Sequence, residues 1–235
     1  MAADLEKNIQ KVIKDIGEKP TKLIAVSKKQ PIESIQRLYD LGQRAFGENH
    51  VQELTEKEAL LPKDIEWHMV GHLQRNKVKY IAPFVHLIHS VDTFELLKEI
   101  DKRAAQNKRV INVLLQLHIA DEETKFGFSH DEMILMLTEG EFQKLEHVKI
   151  VGLMGIATNT PKQGNIFEEF KEMALFHDGL KKSFFRKNEE FTELSMGMTS
   201  DYDLAIEQGS TMIRVGTKIF GARHYPKTVK ENAKD

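Results

Sequence analysis

Residues 21–30 read Thr-Lys-Leu-Ile-Ala-Val-Ser-Lys-Lys-Gln. Leu23 to Val26 form a short apolar and β-branched run that stops at two lysines and is followed by Pro31. Such a run is too short for a helix and reads as a buried strand. A strand alternates its faces, so Ile24, Val26 and Lys28 share one side while Leu23, Ala25, Ser27 and Lys29 share the other. Lys28 therefore follows the apolar line into whatever the strand faces, and Lys29 turns away. A lysine at the carboxyl end of a buried strand stands where α/β proteins keep their chemistry. The plainer alternative is that both lysines mark where the strand meets water.

Working outward, the same pattern repeats. Residues 4–17 carry Leu5, Ile9, Val12, Ile13 and Ile16 at helical spacing, an extra amphipathic helix ahead of the strand at 22–27. Strands are expected at 44–47, 65–70, 85–91, 110–119, 148–154, 191–196 and 211–215. Helices are expected at 32–42, 49–60, 73–80, 94–104, 129–138, 165–185 and 200–208. Asp92 or Thr93 stands ready to cap the helix that carries Phe94, Leu97, Ile100 and Ala104. Strict alternation of strand and helix argues for parallel pairing with crossover helices. Eight repeats in 235 residues are the signature of a closed (β/α)8 TIM-type barrel. An open doubly wound sheet is the runner-up, but the first strand–helix turn has no glycine-rich dinucleotide fingerprint. One domain over residues 1–225 is expected, with a charged, loose tail at 226–235.

Composition narrows the function. With 34 Lys+Arg against 36 Asp+Glu, the net charge of −2 gives no electrostatic footprint for nucleic acid or an anionic membrane. Cysteine is absent, which removes thiolate catalysis and cysteine-based metal centres and fits a reducing compartment. The first residues lack a signal-peptide pattern, and no apolar run reaches the roughly 20 residues of a membrane span. A soluble cytoplasmic protein is expected.

In a barrel, chemistry sits at the carboxyl ends of the strands. Ser195 and Gly197 follow the seventh strand and Gly216 and Thr217 the eighth. Both loops are small, polar and open a helix, where unpaired amides meet an anion such as phosphate. A competing reading makes Ser200 and Asp203 a capping box. Arg214 lies within the run Thr211-Met212-Ile213-Arg214-Val215 and points inward if Ile213 and Val215 pack on helices. There it needs an acceptor: either a barrel carboxylate such as Glu193, or a ligand between the phosphate loops and Lys28. His68 and His72 straddle a strand end without a carboxylate to complete a ligand set, so no metal is assigned. Asp121-Glu122-Glu123 reads as a solvated loop.

These ends carry a family resemblance. Ala25-Val26-Ser27-Lys28, Phe46-Gly47-Glu48-Asn49, Trp67-His68 with Gly71-His72-Leu73-Gln74 and Asn76-Lys77, Gly152-Leu153-Met154, Ser195-Met196-Gly197-Met198 and Arg214-Val215-Gly216-Thr217 with Ile219-Phe220-Gly221 occur in one order. Together they resemble the pyridoxal 5′-phosphate homeostasis protein family, which is similar to the barrel domain of alanine racemase. The resemblance implies a cofactor, pyridoxal 5′-phosphate, held as a Schiff base by Lys28. It implies phosphate binding at Ser195, Gly216 and Thr217, Arg214 facing the pyridine nitrogen, and Asn49 lining the site. His118, Ala120 and Phe126 depart from the family's pattern after the fifth strand, at the open face of the cofactor.

The function implied is a non-catalytic, monomeric carrier or buffer of vitamin B6 that supplies pyridoxal-phosphate-dependent apoenzymes. The rival reading is a racemase or lyase on the same barrel. Alanine racemases draw a tyrosine from a second domain, and with ten residues after Tyr225 no such domain is expected. A permanently charged Arg214 also keeps the facing pyridine nitrogen unprotonated, weakening the ring as an electron sink. A sugar-phosphate barrel enzyme is the third reading and would need Glu48 as its carboxylate near Lys28.

Overall fold

A computed structural model describes residues 4–120 and 126–221. Eight parallel strands close in sequence order: β1 (Lys22–Val26), β2 (Ala45–Glu48), β3 (Glu66–Met69), β4 (Leu87–Val91), β5 (Ile111–Leu117), β6 (Val148–Gly155), β7 (Glu193–Met198) and β8 (Met212–Val215). Closure runs through β1 and β8, with Ile24 opposite Arg214. The helices are α1 (Leu5–Ile16), α2 (Ile32–Asp40), α3 (Val51–Leu60), α4 (Val78–Ile81), α5 (Phe94–Gln106), α6 (His130–Glu139), α7 (Gln163–Ser183), α8 (Tyr202–Glu207) and α9 (Thr217–Phe220). The TIM-type barrel with its extra N-terminal helix is thus the fold.

Two hydrophobic layers follow from the strand alternation. Leu23, Ala25, Ile213 and Val215 join the large cluster between sheet and helices. Ile24, Ala45, Leu87, Leu114, Val151, Met154 and Met212 form a second, interior cluster. At about 25 cal/mol per Å² of apolar area, both layers contribute to the dominant favourable term in folding.

The differences from the sequence reading are local. The helix expected from residue 49 begins at Val51, after an extended His50, which leaves Asn49 in a loop. The expected helix at 73–80 is a turn of 3₁₀ helix, Arg75–Lys77, leading into the short α4. Thr93, not Asp92, caps α5, accepting from the Leu96 N–H. The 226–235 tail and Asp121-Glu122-Glu123 lie outside the described residues. Among the described residues, no helix is long and apolar enough to cross a membrane.

Candidate functional site

At the carboxyl ends of the strands lies a cavity of about 360 Å³. Lys28, Asn49, Arg214, Gly216 and Thr217 line it, together with Val26, Val70, Ile156, Met198, Thr199 and Ser200. Five of the six residues singled out from sequence therefore meet in one place. Ser195 does not line it with them. Its side chain is fully buried, with its Oγ accepting a hydrogen bond from Arg214 at 2.6 Å.

Lys28 and Lys29 part as the strand period requires. Lys28 is half-buried and lines the cavity, whereas Lys29 is exposed. The chain turns at Lys29, whose φ is 60°, and its N–H donates to Glu53 at 2.5 Å. Beneath this turn lies a buried polar network. Ser27 Oγ donates to Glu48 Oε1 at 2.6 Å. Lys57 Nζ donates to the same oxygen at 2.7 Å, to Glu53 Oε1 at 2.6 Å and to the Ser27 carbonyl at 2.7 Å. Burial raises the Glu48 carboxyl above its ordinary range, against the opposing pull of Lys57. Glu48 is thus tied to α3 as a support for the Lys28 turn, which takes away the carboxylate that a sugar-phosphate enzyme would need.

Arg214 points inward, as expected, but not onto Glu193. That carboxylate accepts from Thr211 Oγ1. The guanidinium instead donates to Ser195 Oγ and, at 2.8 Å, to the carbonyl of Gly155. Only 5% exposed and held by neutral oxygens, it has its pKa pushed down to about 10 by burial. It stays charged at neutral pH all the same. Ser195 also lies 2.9 Å from Nδ1 of the fully buried His89, whose Nε2 is 2.9 Å from His68 Nδ1. Burial above all, with the Arg214 charge adding to it for His89, holds both histidines well below the ordinary imidazole range, so they are neutral. Nothing in the linear pattern joins these four residues. Only the closed barrel does.

The seventh strand explains why Ser195 sits so deep. Between Ser195 and Met198 its register against β8 shifts, at Gly197 with φ of 90°. A Cβ at Gly197 would stand 2.6 Å from that of Ala205 and 2.9 Å from Tyr202 Cα, so only glycine fits the turn. The bulge pushes Thr199 and Ser200 to the cavity wall instead. The Thr199 hydroxyl accepts the Gly216 N–H at 3.2 Å. The competing Ser200–Asp203 capping box does not form: α8 starts at Tyr202 with Asp201 as its N-cap, and the Asp201 carboxylate accepts the Met198 N–H at 2.6 Å and the Ser200 hydroxyl at 3.1 Å. His118 lines an adjoining cavity of about 460 Å³ that shares Ile156, Met198 and Ser200 with the first. His68 and His72 diverge: His72 pairs with Asp92 at 2.9 Å and stacks on Phe126.

With this geometry in place, comparison with known proteins is decisive. The model of the alanine racemase N-terminal domain matches residues 2–224. A protein of Aquifex aeolicus named pyridoxal phosphate homeostasis protein is 41% identical over 210 residues, 89% of this chain and 90% of its own. The chain belongs to this family. PipY of Synechococcus elongatus, solved with pyridoxal phosphate bound, superposes with a TM-score of 0.83 at 34% identity, over 93% of this chain and all of PipY. The alanine racemase of Bartonella henselae shares the fold at 13% identity and a TM-score of 0.69, with 94% of this chain covering 60% of the racemase.

The network under the Lys28 turn makes a stability prediction. Lys57→Met strands a buried carboxylate, and breaking a buried ion pair from one side costs about 3–5 kcal/mol. Urea unfolding is expected to show that loss, with Glu48→Gln in the same chain restoring a large part of it. A loss below about 1 kcal/mol, the ordinary value of an exposed pair, would contradict the role given to Glu48.

Proposed function

We propose that this protein binds pyridoxal 5′-phosphate through a Schiff base to Lys28 and serves as a non-catalytic carrier or buffer in the homeostasis of the cofactor. It acts as a monomer in the cytoplasm and hands the cofactor to pyridoxal-phosphate-dependent apoenzymes. The reading draws on the relatives' names, on the bound cofactor of PipY and on one observation in this chain: Arg214, a buried guanidinium whose acceptors among the described residues are neutral, opening on the same cavity as a half-buried strand-end lysine.

The residues fit the group. Lys28 supplies the amine, and Asn49 lines the wall beside it. The small polar loops of Thr199, Ser200, Gly216 and Thr217 would hold the cofactor's phosphate. Ser195 acts from below by holding Arg214. A guanidinium has donors and no acceptor, so the ring nitrogen it meets must be the acceptor and carry no proton. When bound, the cofactor supplies a reactive aldehyde and a ring that drains electrons. An unprotonated ring drains them weakly, and this favours carriage over carbanion chemistry. The rival reading, racemisation, draws on His118 beside the shared wall, since its imidazole suits proton transfer.

Two expectations follow from this reading. The cofactor-loaded protein shows a visible band that borohydride removes, and peptide mapping finds the reduced label on Lys28. Lys28→Ala loses the band and Lys29→Ala keeps it; a label on Lys29 would mean that the faces of β1 are reversed. In deuterated water, single enantiomers of amino acids undergo at most slow exchange at the α-carbon without racemisation. A racemase needs a proton-transfer group on each face, each worth typically 10²–10⁴-fold. Fast racemisation abolished by His118→Asn would overturn the carrier reading and leave the cofactor site standing.

A further inference from the structure

The end of the barrel opposite the cofactor cavity carries a second cluster of chemistry-bearing residues. Glu66 opens β3 and His68 follows two residues later on the same face. His86 stands at the start of the neighbouring strand, its N–H bound to the Trp67 carbonyl at 2.9 Å. One ligand atom from each of Glu66, His68 and His86 lies within 4.8 Å of the others. His68 is wholly buried, and with Nδ1 engaged by His89, its Nε2 has no hydrogen-bond partner among the described residues. A buried ring nitrogen left unpaired is costly, on the order of 1–3 kcal/mol. Its neighbours stand too far for a direct bond and close enough to share an ion between them.

We propose that Glu66, His68 and His86 form a divalent transition-metal site, with Zn²⁺ the cation it takes and solvent completing the coordination. Two imidazoles and a carboxylate are a donor set that zinc accepts with a position left open. Imidazole ligands disfavour Mg²⁺ and Ca²⁺, which take oxygen. The outer support that such sites require is also present. Metal on Nε2 of His68 fixes its proton on Nδ1, donated to His89. His89 in turn donates to Ser195, whose second lone pair receives Arg214. One competitor faces the site: Lys22, whose Nζ sits 2.5 Å from Glu66 Oε2. Metal and lysine contest this carboxylate.

The competitor supplies a diagnostic sign. The full chain, stripped with chelator, is titrated with ZnCl₂ by calorimetry and with CoCl₂ by visible absorbance. One ion per chain and a four-coordinate cobalt band are expected, undisturbed by excess Mg²⁺. His86 is exposed, so His86→Ala leaves the core intact, and Glu66→Gln keeps the side chain's shape. Each weakens binding by no less than the roughly tenfold to hundredfold that losing an outer-shell partner costs. Lys22→Met strengthens it. In the zinc-loaded protein, nitrogen NMR finds the proton of His68 on Nδ1. No binding, affinity unchanged in His86→Ala and Glu66→Gln, or weaker binding in Lys22→Met would overturn the proposal. Each of these readouts is independent of whether the cofactor site is loaded.

Discussion

A single buried guanidinium constrains this barrel more than any other group. Arg214 is enclosed by β6, β7 and β8, and among the described residues it hydrogen-bonds to no carboxylate, only to Ser195 Oγ and the Gly155 carbonyl. Hydrogen bonds to a charged group contribute about 1.5–3 kcal/mol each, while removing an ion from water costs several kcal/mol even after relaxation. Two such bonds roughly offset that cost and leave no surplus. The site therefore gains from an electron-rich acceptor entering the cavity, and it has no way to give up its charge to obtain one. Ser195, His89 and His68 extend the constraint through the interior, which is why these polar groups can be buried in an otherwise apolar barrel.

On the other side of the cavity the same logic runs with opposite sign. Glu48 is the buried anion, and Lys57, reaching in from α3, compensates it while also gripping the carbonyl of Ser27. This pins the turn that carries Lys28, so the lysine is set by packing two elements away. The cavity is thus framed by one cation and one lysine, each fixed from behind. Framing of this kind fixes a ligand between two anchored groups, with His118 on the wall of the adjoining cavity.

Much of this was legible in the sequence. Period-2 alternation placed Ile24 inside and Leu23 outside, and separated Lys28 from Lys29. The same rule turned Arg214 inward. What failed, failed for physical reasons. Counting faces along β7 puts Ser195 at the strand end, but the bulge at Gly197 carries the cavity wall on to Thr199 and Ser200. The capping pattern at Ser200 and Asp203 was sound locally, yet α8 starts at Tyr202 with Asp201 as its N-cap, and the Ser200 hydroxyl donates to Asp201 instead. Glu193 was a reasonable partner for Arg214 by charge alone; Thr211 holds it instead. The buried chain from Arg214 to His68 crosses the interior between β4 and β7, which only barrel closure brings together; Glu66 meets His86 through the register of β3 against β4, which no spacing along the chain announces.

The central claim is that Arg214 holds the facing ring nitrogen unprotonated, and the chemical shift of that nitrogen tests it most directly. Nitrogen-15 NMR of the protein loaded with pyridoxal phosphate labelled at the pyridine nitrogen should give the shift of an unprotonated ring at neutral pH, moving toward the protonated value in Arg214→Glu. A protonated nitrogen in the unaltered protein would contradict the account.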